Sequence, residues 1–154
     1  MAHVDLSLSE LTDVGPRRPS EDRAGFDGSV DLWAFVVAMA QEPCLLLDSA
    51  GIIVAASPGS GELLSINPAD AVGRRLVDGV LRLLDFNAVS GDLPGWEVDK
   101  IPPLIAIKSG GLARGLLRVA ADHGAASTVD AISVPLRDGG AIVGSLTFFA
   151  PVGR

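Results

Sequence analysis

Cys44–Asp48 reads CLLLD, residues 49–51 read SAG, and residues 52–56 read IIVAA. Two short apolar runs joined by a glycine-containing turn are typical of an antiparallel β-hairpin. The pattern returns near the C-terminus, where residues 128–137 (TVDAISVPLR) and Ala141–Pro151 (AIVGSLTFFAP) flank an Asp-Gly-Gly turn. These two hairpins predict one antiparallel sheet.

The chain between the hairpins carries helix signals. Asn67 followed by Pro68 predicts a helix start, because asparagine can cap the first turn and proline fits its first position. Residues 74–84 (RRLVDGVLRLL) space their apolar side chains as a helix does. Further short helices are predicted at residues 59–66 and 101–107, a loop at 86–100, and a strand at 112–121, where the composition also fits a helix. Strands at both ends with short helices between them predict an α+β domain.

Residues 1–29 are polar and interrupted by glycine and proline. We therefore expect a flexible N-terminal arm, followed by a domain that spans residues 30–154. Residues 30–42 (VDLWAFVVAMAQE) predict a helix that ends before Pro43, with Asp31 or Ser29 as its N-cap. Its apolar surface is too wide for one sheet to bury, so we expect a dimer interface on it. The residues assigned to that interface are Leu32, Trp33, Phe35, Val36 and Met39.

Composition limits the kinds of binding partner and the cellular location that we expect. The net charge of −7 disfavours phosphate backbones and anionic lipid, so neither nucleic acid nor a membrane surface is expected as a partner. The longest apolar run, residues 32–40, is too short to span a bilayer, and the first residues do not resemble a signal peptide. We expect a cytoplasmic protein, and the excess of arginine over lysine with abundant alanine and glycine suggests a bacterial source.

Few residues could carry catalysis. Cys44 is the only cysteine, His3 and His123 are the only histidines, and tyrosine is absent. An internal disulfide and a cysteine-rich metal site are thereby excluded, and no metal site is predicted. The aspartates stand where caps and turns use polar groups, which does not indicate paired acid–base carboxylates. We predict a protein that binds rather than an enzyme.

Three phrases resemble the PAS domain family of bacterial sensory and signalling proteins. EPCLLLDSAGIIVAAS (residues 42–57) is similar to the opening hairpin of the family, ELLSINPADAVGRRLVD (62–78) to the stretch that follows, and VDAISVPLRDGGAIVGSLTFFAPV (129–152) to the closing hairpin. The resemblance implies a five-stranded antiparallel sheet, short helices on one face and an N-terminal capping helix. It also implies dimerisation through the helix before the first strand and a role in signal transduction.

The sequence departs from the family in places that concern the ligand. An asparagine is common after the second strand, whereas this chain has Ser57-Pro58-Gly59. Cys44 lies in the first strand and not in the Asn-Cys-Arg phrase of the flavin-binding members. His123 lies in a turn-rich segment and not in a helix, so there is no haem-histidine signature either. The sequence therefore specifies no cofactor, and its identity is unknown from these residues.

A pocket between the sheet and the helices would be lined by apolar side chains. The candidates for ligand binding are Leu84, Phe86, Trp96, Ile105, Leu117 and Phe148, with Lys108, Arg114 and Arg118 as polar groups for an acidic ligand. A solid core is the alternative use of the same apolar residues, because close packing is the rule in protein interiors.

Three functions are consistent with these observations. The first is a sensory module that forms a homodimer and binds a small apolar ligand, a signalling partner protein or an output domain. The second is a small cone-shaped α+β enzyme of the isomerase or dehydratase kind. The third is a purely structural protein-interaction domain with a filled core.

Overall fold

The computed structural model describes residues 29–87, 91–121 and 124–153. Six antiparallel strands form one sheet in the order β2-β1-β6-β5-β4-β3. The strands are β1 Cys44–Asp48, β2 Ile53–Ala56, β3 Leu83–Leu84, β4 Ala113–Ala120, β5 Ala126–Asp138 and β6 Ala141–Pro151. The helices are α1 Ser29–Met39, α2 Pro58–Leu64, α3 Pro68–Ala71, α4 Gly95–Val98 and α5 Pro102–Ser109. The predicted α+β class is confirmed, with six strands in place of five.

Both predicted hairpins form. β1 pairs with β2, and β5 pairs with β6 across the glycine turn at residues 139–140. The start of α3 is also as predicted, because the Asn67 side chain accepts a hydrogen bond from the Ala69 N–H at 3.1 Å. Residues 113–120 are a strand, and their favourable helix composition is overridden by pairing with β5 along the whole strand.

The helix predicted over residues 74–84 does not form. Leu76–Val80 is a wide turn in which the Leu81 N–H reaches the Leu76 carbonyl at 3.4 Å. Gly79 has a φ of 79°, a left-handed conformation that interrupts a regular helix. Leu83 and Leu84 then pair with β4, which adds the sixth strand at the edge of the sheet. Apolar spacing alone could not distinguish these arrangements.

Helix α1 is shorter than predicted. It ends at Met39 instead of residue 42, and the Ala40 N–H closes the last turn on the Val37 carbonyl at 3.1 Å. Asp31 lies in its first turn, where the helix dipole favours a carboxylate. The arm predicted for residues 1–29 lies outside the described residues, except for Ser29, which is the first residue of α1.

The sheet separates two hydrophobic clusters, and side-chain alternation decides which residues enter each. Leu45 and Leu47 of β1 face the inner cluster with the residues of α2, α3 and α5. Leu46 faces the outer cluster, which is closed by Val37 of α1. The short helices therefore lie on the inner face and α1 on the outer face.

A glycine permits close approach between β6 and β1. Gly144 pairs with Asp48, and a Cβ added there would overlap the carbonyl oxygen of Leu47. Because that oxygen belongs to the backbone of a fully buried strand, it cannot move aside without shifting the centre of the sheet. The position therefore requires glycine.

We predict that Gly144→Ala lowers the free energy of unfolding by about 1–3 kcal/mol, because the methyl group overpacks the β1–β6 pair. Urea unfolding followed by circular dichroism measures the change. Gly95→Ala is the matched control, because no atom lies within 4 Å of the added carbon, and its effect should stay within about 0.5 kcal/mol. Equal effects of the two substitutions would contradict the requirement for glycine at position 144.

Ser57 joins three segments through one buried hydroxyl. Its Oγ accepts from the Cys44 N–H at 2.9 Å and the Ser60 N–H at 3.2 Å, and it donates to the Glu42 carbonyl at 2.7 Å. The side chain caps α2 and also fixes the segment that leads from α1 into β1. Loss of this hydroxyl would leave a buried N–H and a carbonyl without their partner.

Ser57→Ala should lower the free energy of unfolding by about 1–3 kcal/mol, the cost of unsatisfied buried polar groups. Thermal and urea unfolding give the value. Ser109→Ala removes a hydroxyl that bonds only the exposed Gly111 N–H, and should cost less than about 0.5 kcal/mol. A Ser57→Ala protein as stable as the Ser109→Ala protein would refute the role given to Ser57.

Candidate functional site

Helix α1 carries an apolar stripe that faces solvent. Leu32, Phe35, Val36 and Met39 follow the i, i+3, i+4, i+7 spacing of one helix face, and Phe35 and Met39 are 59% and 68% exposed. Trp33 is 38% exposed at the side of the stripe. All five residues predicted for a dimer interface thus lie at the surface, and we call them the α1 stripe. The opposite side of α1 packs on the sheet through Val30, Ala34 and Val37.

The outer face of the sheet continues this apolar surface. Phe148 is 44% exposed and pairs with Cys44 and Ile132, which places it on the face covered by α1. This corrects the prediction that Phe148 lines a pocket beneath the short helices. Phe149 is the neighbour that points inward and joins the inner cluster. A shift of one residue in a strand exchanges the two faces, and the Phe-Phe doublet did not reveal which side is buried.

The centre of the inner face is filled with side chains. Leu45, Leu47, Ile53 and Val129 are no more than 1% exposed and pack in one cluster with residues of the wide turn and α5. The inner cluster is thus a packed core at the centre of the sheet. Cavities lie toward its margins.

One marginal cavity, of about 220 Å³, lies between β4, the start of α5 and the segment after β3. It contains four of the six predicted pocket residues, namely Leu84, Phe86, Ile105 and Leu117. We call it the β4 cavity. Ile105 and Phe86 are exposed and Leu117 is buried, so the cavity runs from the surface toward the sheet.

Trp96 does not line the β4 cavity. It is 66% exposed on α4, and the Lys100 Nζ lies 4.8 Å from the centre of its ring. A cation over an aromatic face is favourable even at the surface. The prediction of Trp96 as a pocket residue is corrected accordingly, because the short α4 turns the indole away from the sheet.

The three cations predicted as polar groups lie at two separate sites. The Arg114 Nε donates to both carboxylate oxygens of Asp130 at 3.1 Å, which raises the pKa of Arg114 and lowers that of Asp130. Arg118 donates to the Asp85 carbonyl at 3.4 Å, and both arginines border the β4 cavity. Lys108 lies at a different site.

A larger cavity, of about 480 Å³, was missed by sequence reasoning. It lies between the β1–β2 turn, the start of the wide turn and α5, and we call it the turn cleft. Its lining residues are Ser49, Ala50, Gly51, Ile52, Arg75, Val77, Asp99, Leu104, Ile107 and Lys108. The three segments are far apart in sequence, so only the folded chain brings Arg75 and Lys108 to one site. The signals that the sequence offered were the arginine pair at residues 74–75 and Lys108, and nothing in the sequence placed them together.

The remaining reactive residues are the cysteine and the two histidines. Cys44 is buried, and burial raises the pKa of its thiol, which disfavours the nucleophilic thiolate. His3 and His123 lie outside the described residues. Across residues 29–87, 91–121 and 124–153, no three His, Cys, Asp or Glu side chains gather as a metal site would require. The helices within these same ranges include none with the length and apolarity to cross a membrane.

Comparison with solved structures addresses the fold. No protein-family model matches the chain, and a search of curated proteins finds no match. A PAS domain from Colwellia psychrerythraea is similar, with 18% identity, 79% of this chain and 94% of that chain covered, and a TM-score of 0.57. The light-state LOV domain of the blue-light photoreceptor Aureochrome1 shares 24% identity over 77% of this chain and 87% of its own, with a TM-score of 0.56.

The dimer of VqmA from Vibrio cholerae, determined in the absence of target DNA, is also similar. It shares 19% identity over 82% of this chain, which spans 52% of that longer chain, with a TM-score of 0.53. TM-scores of 0.53 to 0.57 at identities below 25% establish a likeness of fold and no more. By its fold, this chain is a PAS-like domain.

Proposed function

We propose that this chain is a sensory or regulatory module that acts by binding and forms a homodimer through the α1 stripe. The observation that carries the proposal is a helix with apolar side chains on two opposite faces, of which the sheet buries only one. A surface helix of a monomeric protein normally presents polar residues to water. Exposed apolar patches of this kind mark protein interaction sites.

The chemistry of α1 suits pairing with its own copy. Asp31 is the only charged residue of the helix, and it lies in the first turn. Two α1 helices related by a two-fold axis would therefore bring apolar side chains together without burying a like-charge pair at the centre. Phe148, exposed on the face of the sheet that α1 covers, extends the apolar surface available to the partner.

The connection between α1 and the sheet supports a signalling role. Only Gln41, Glu42 and Pro43 separate Ala40 from β1, and Ser57 holds the Glu42 carbonyl. A Cβ added to Gly59 of α2 would overlap the Gln41 carbonyl oxygen, so α2 packs directly on this connection. A displacement of α2 would therefore be transmitted to α1 and to the dimer interface.

The ligand in this proposal is small. The β4 cavity, at about 220 Å³, is below the usual range of drug-sized pockets, roughly 300–1,000 Å³. Leu84, Phe86, Ile105 and Leu117 would contact a compact apolar molecule there. We retain residues 30–154 as the sensory domain, in a bacterial cytoplasm, with a signalling protein or output domain as its partner.

A second candidate is the purely structural interaction domain. The packed centre of the inner face favours it, because a filled core leaves no room for a ligand there. One measurement distinguishes the two functions. Native mass spectrometry of freshly purified protein should show a dimer with a bound small molecule for the sensory module, and a dimer alone for the structural domain.

We predict that the protein is a dimer in solution and that the double variant Phe35→Glu, Met39→Glu dissociates it. Burial of two unpaired carboxylates should weaken the dimer by about 10-fold or more, whereas the exposed side chains should leave the fold intact. Light scattering coupled to size-exclusion chromatography over a concentration series gives the mass.

Trp96→Glu is the matched control for this experiment. Trp96 is 66% exposed on α4, which borders the β4 cavity on the side of the sheet opposite α1, so its replacement should leave the dimer unchanged. A wild-type protein that is monomeric at high micromolar concentration would refute the dimer. Equal loss of dimer in the Trp96→Glu protein would refute the role of the α1 stripe.

A further inference from the structure

The turn cleft has apolar walls and a cationic rim. Ile52, Val77, Leu104 and Ile107 form the apolar part, and they come from the β1–β2 turn, the wide turn and α5. Arg75 and Lys108 border the same cavity from two of these segments. An apolar cavity with a few convergent polar groups is the usual form of a small-molecule site.

The cleft is built on a fixed backbone. The Asp48 carboxylate accepts hydrogen bonds from the Ala50 and Ile52 N–H groups at 2.9 and 3.0 Å, which holds the β1–β2 turn. Ile52 pairs with Arg75, and the Leu76 N–H donates to the Gly51 carbonyl at 3.1 Å. The backbone of Arg75 is thus anchored to the turn, although its side chain is exposed.

The charges of the cleft favour an anion. The guanidinium group of Arg75 makes no hydrogen bond or ion pair with any residue that the structure describes, whereas that of its neighbour Arg74 donates to the Asp78 carbonyl at 3.0 Å. Lys108 lies 3.8 Å from Asp99, and both of these side chains are largely exposed. Exposed pairs at such distances are weak, so Lys108 remains available to another anion. Two cations and one carboxylate leave the cleft with one net positive charge in a chain whose net charge is −7.

We propose that the turn cleft binds a small amphipathic organic anion, with its apolar body against Ile52, Val77, Leu104 and Ile107 and its anionic group between Arg75 and Lys108. A carboxylate or sulfonate would supply one negative charge and a phosphate monoester about 1.5 to 2 at neutral pH, and arginine can hold any of them through two hydrogen bonds. The site differs from the β4 cavity that the sequence predicted. The proposal does not depend on the dimer, because none of these residues belongs to the α1 stripe.

The test uses two fluorescent probes with the same aromatic body. 1-Anilinonaphthalene-8-sulfonate carries an anionic group, and N-phenyl-1-naphthylamine lacks it. We expect the wild-type protein to bind the sulfonate more tightly than the neutral probe. Arg75→Gln and Lys108→Gln should each weaken sulfonate binding by about 3- to 10-fold, the effect of losing one charged contact at a partly exposed site.

Three further variants make the result specific. Arg74→Gln and Lys100→Gln remove cations of the same types that lie outside the cleft, and they should bind the sulfonate as the wild type does. Asp99→Asn removes the carboxylate that competes for Lys108, and should strengthen binding. Amide shifts in a nitrogen–proton correlation spectrum should change at Ile52, Val77 and Ile107 on titration with the sulfonate.

Several results would overturn the proposal. These are equal binding of the two probes, equal losses in the Arg74→Gln and Arg75→Gln proteins, or shifts confined to α1. A monomeric protein that still shows the Arg75 and Lys108 dependence would refute the dimer and support the cleft. A dimer with no such dependence would do the reverse.

Discussion

Pairing between β1 and β6 is the constraint on which the rest of the structure depends. It joins Cys44 to Phe148 and Asp48 to Gly144, two segments near opposite ends of the domain. Closing so long a loop costs conformational entropy, which burial of Leu45, Leu46 and Leu47 offsets because β1 is covered on both faces. The approach is possible only with a glycine at position 144. All the inner helices lie in the chain that this pairing closes, so their position over the sheet follows from it.

The same register separates two surfaces with different roles. Leu45, Leu47 and Phe149 are directed to the inner face, where they fill the core with the short helices. Leu46 and Leu146 are directed to the outer face, where α1 covers them. Because the inner face is packed at its centre, the cavities among the described residues lie at the margins of the inner layer, and the α1 stripe lies on the opposite side of the sheet. The proposed sensory module would therefore meet its ligand and its partner on opposite sides of the sheet.

Sequence reasoning reached the hairpins, the Asn67 cap and the exposed helix face, because each depends on neighbouring residues or on a simple period. It failed where tertiary pairing decided between alternatives of similar local energy. Residues 74–84 have helical spacing, yet Gly79 and the pairing of Leu83 with Val119 give a turn and a strand. The sequence alone does not show which of Phe148 and Phe149 faces the core, because only the strand register decides it. The turn cleft was not predictable, since its residues meet only after three distant segments have packed.

The two ends of β1 connect the surfaces on which the proposals rest. At its end, Asp48 holds the turn that forms one wall of the turn cleft. At its start, Cys44 donates its N–H to Ser57, whose hydroxyl also holds the Glu42 carbonyl in the connection to α1. The strand between them is five residues long and its first four residues are buried, so a displacement of β1 would have to move side chains of both hydrophobic clusters. The turn cleft and the connection to α1 are thus joined by one packed strand and belong to its opposite ends.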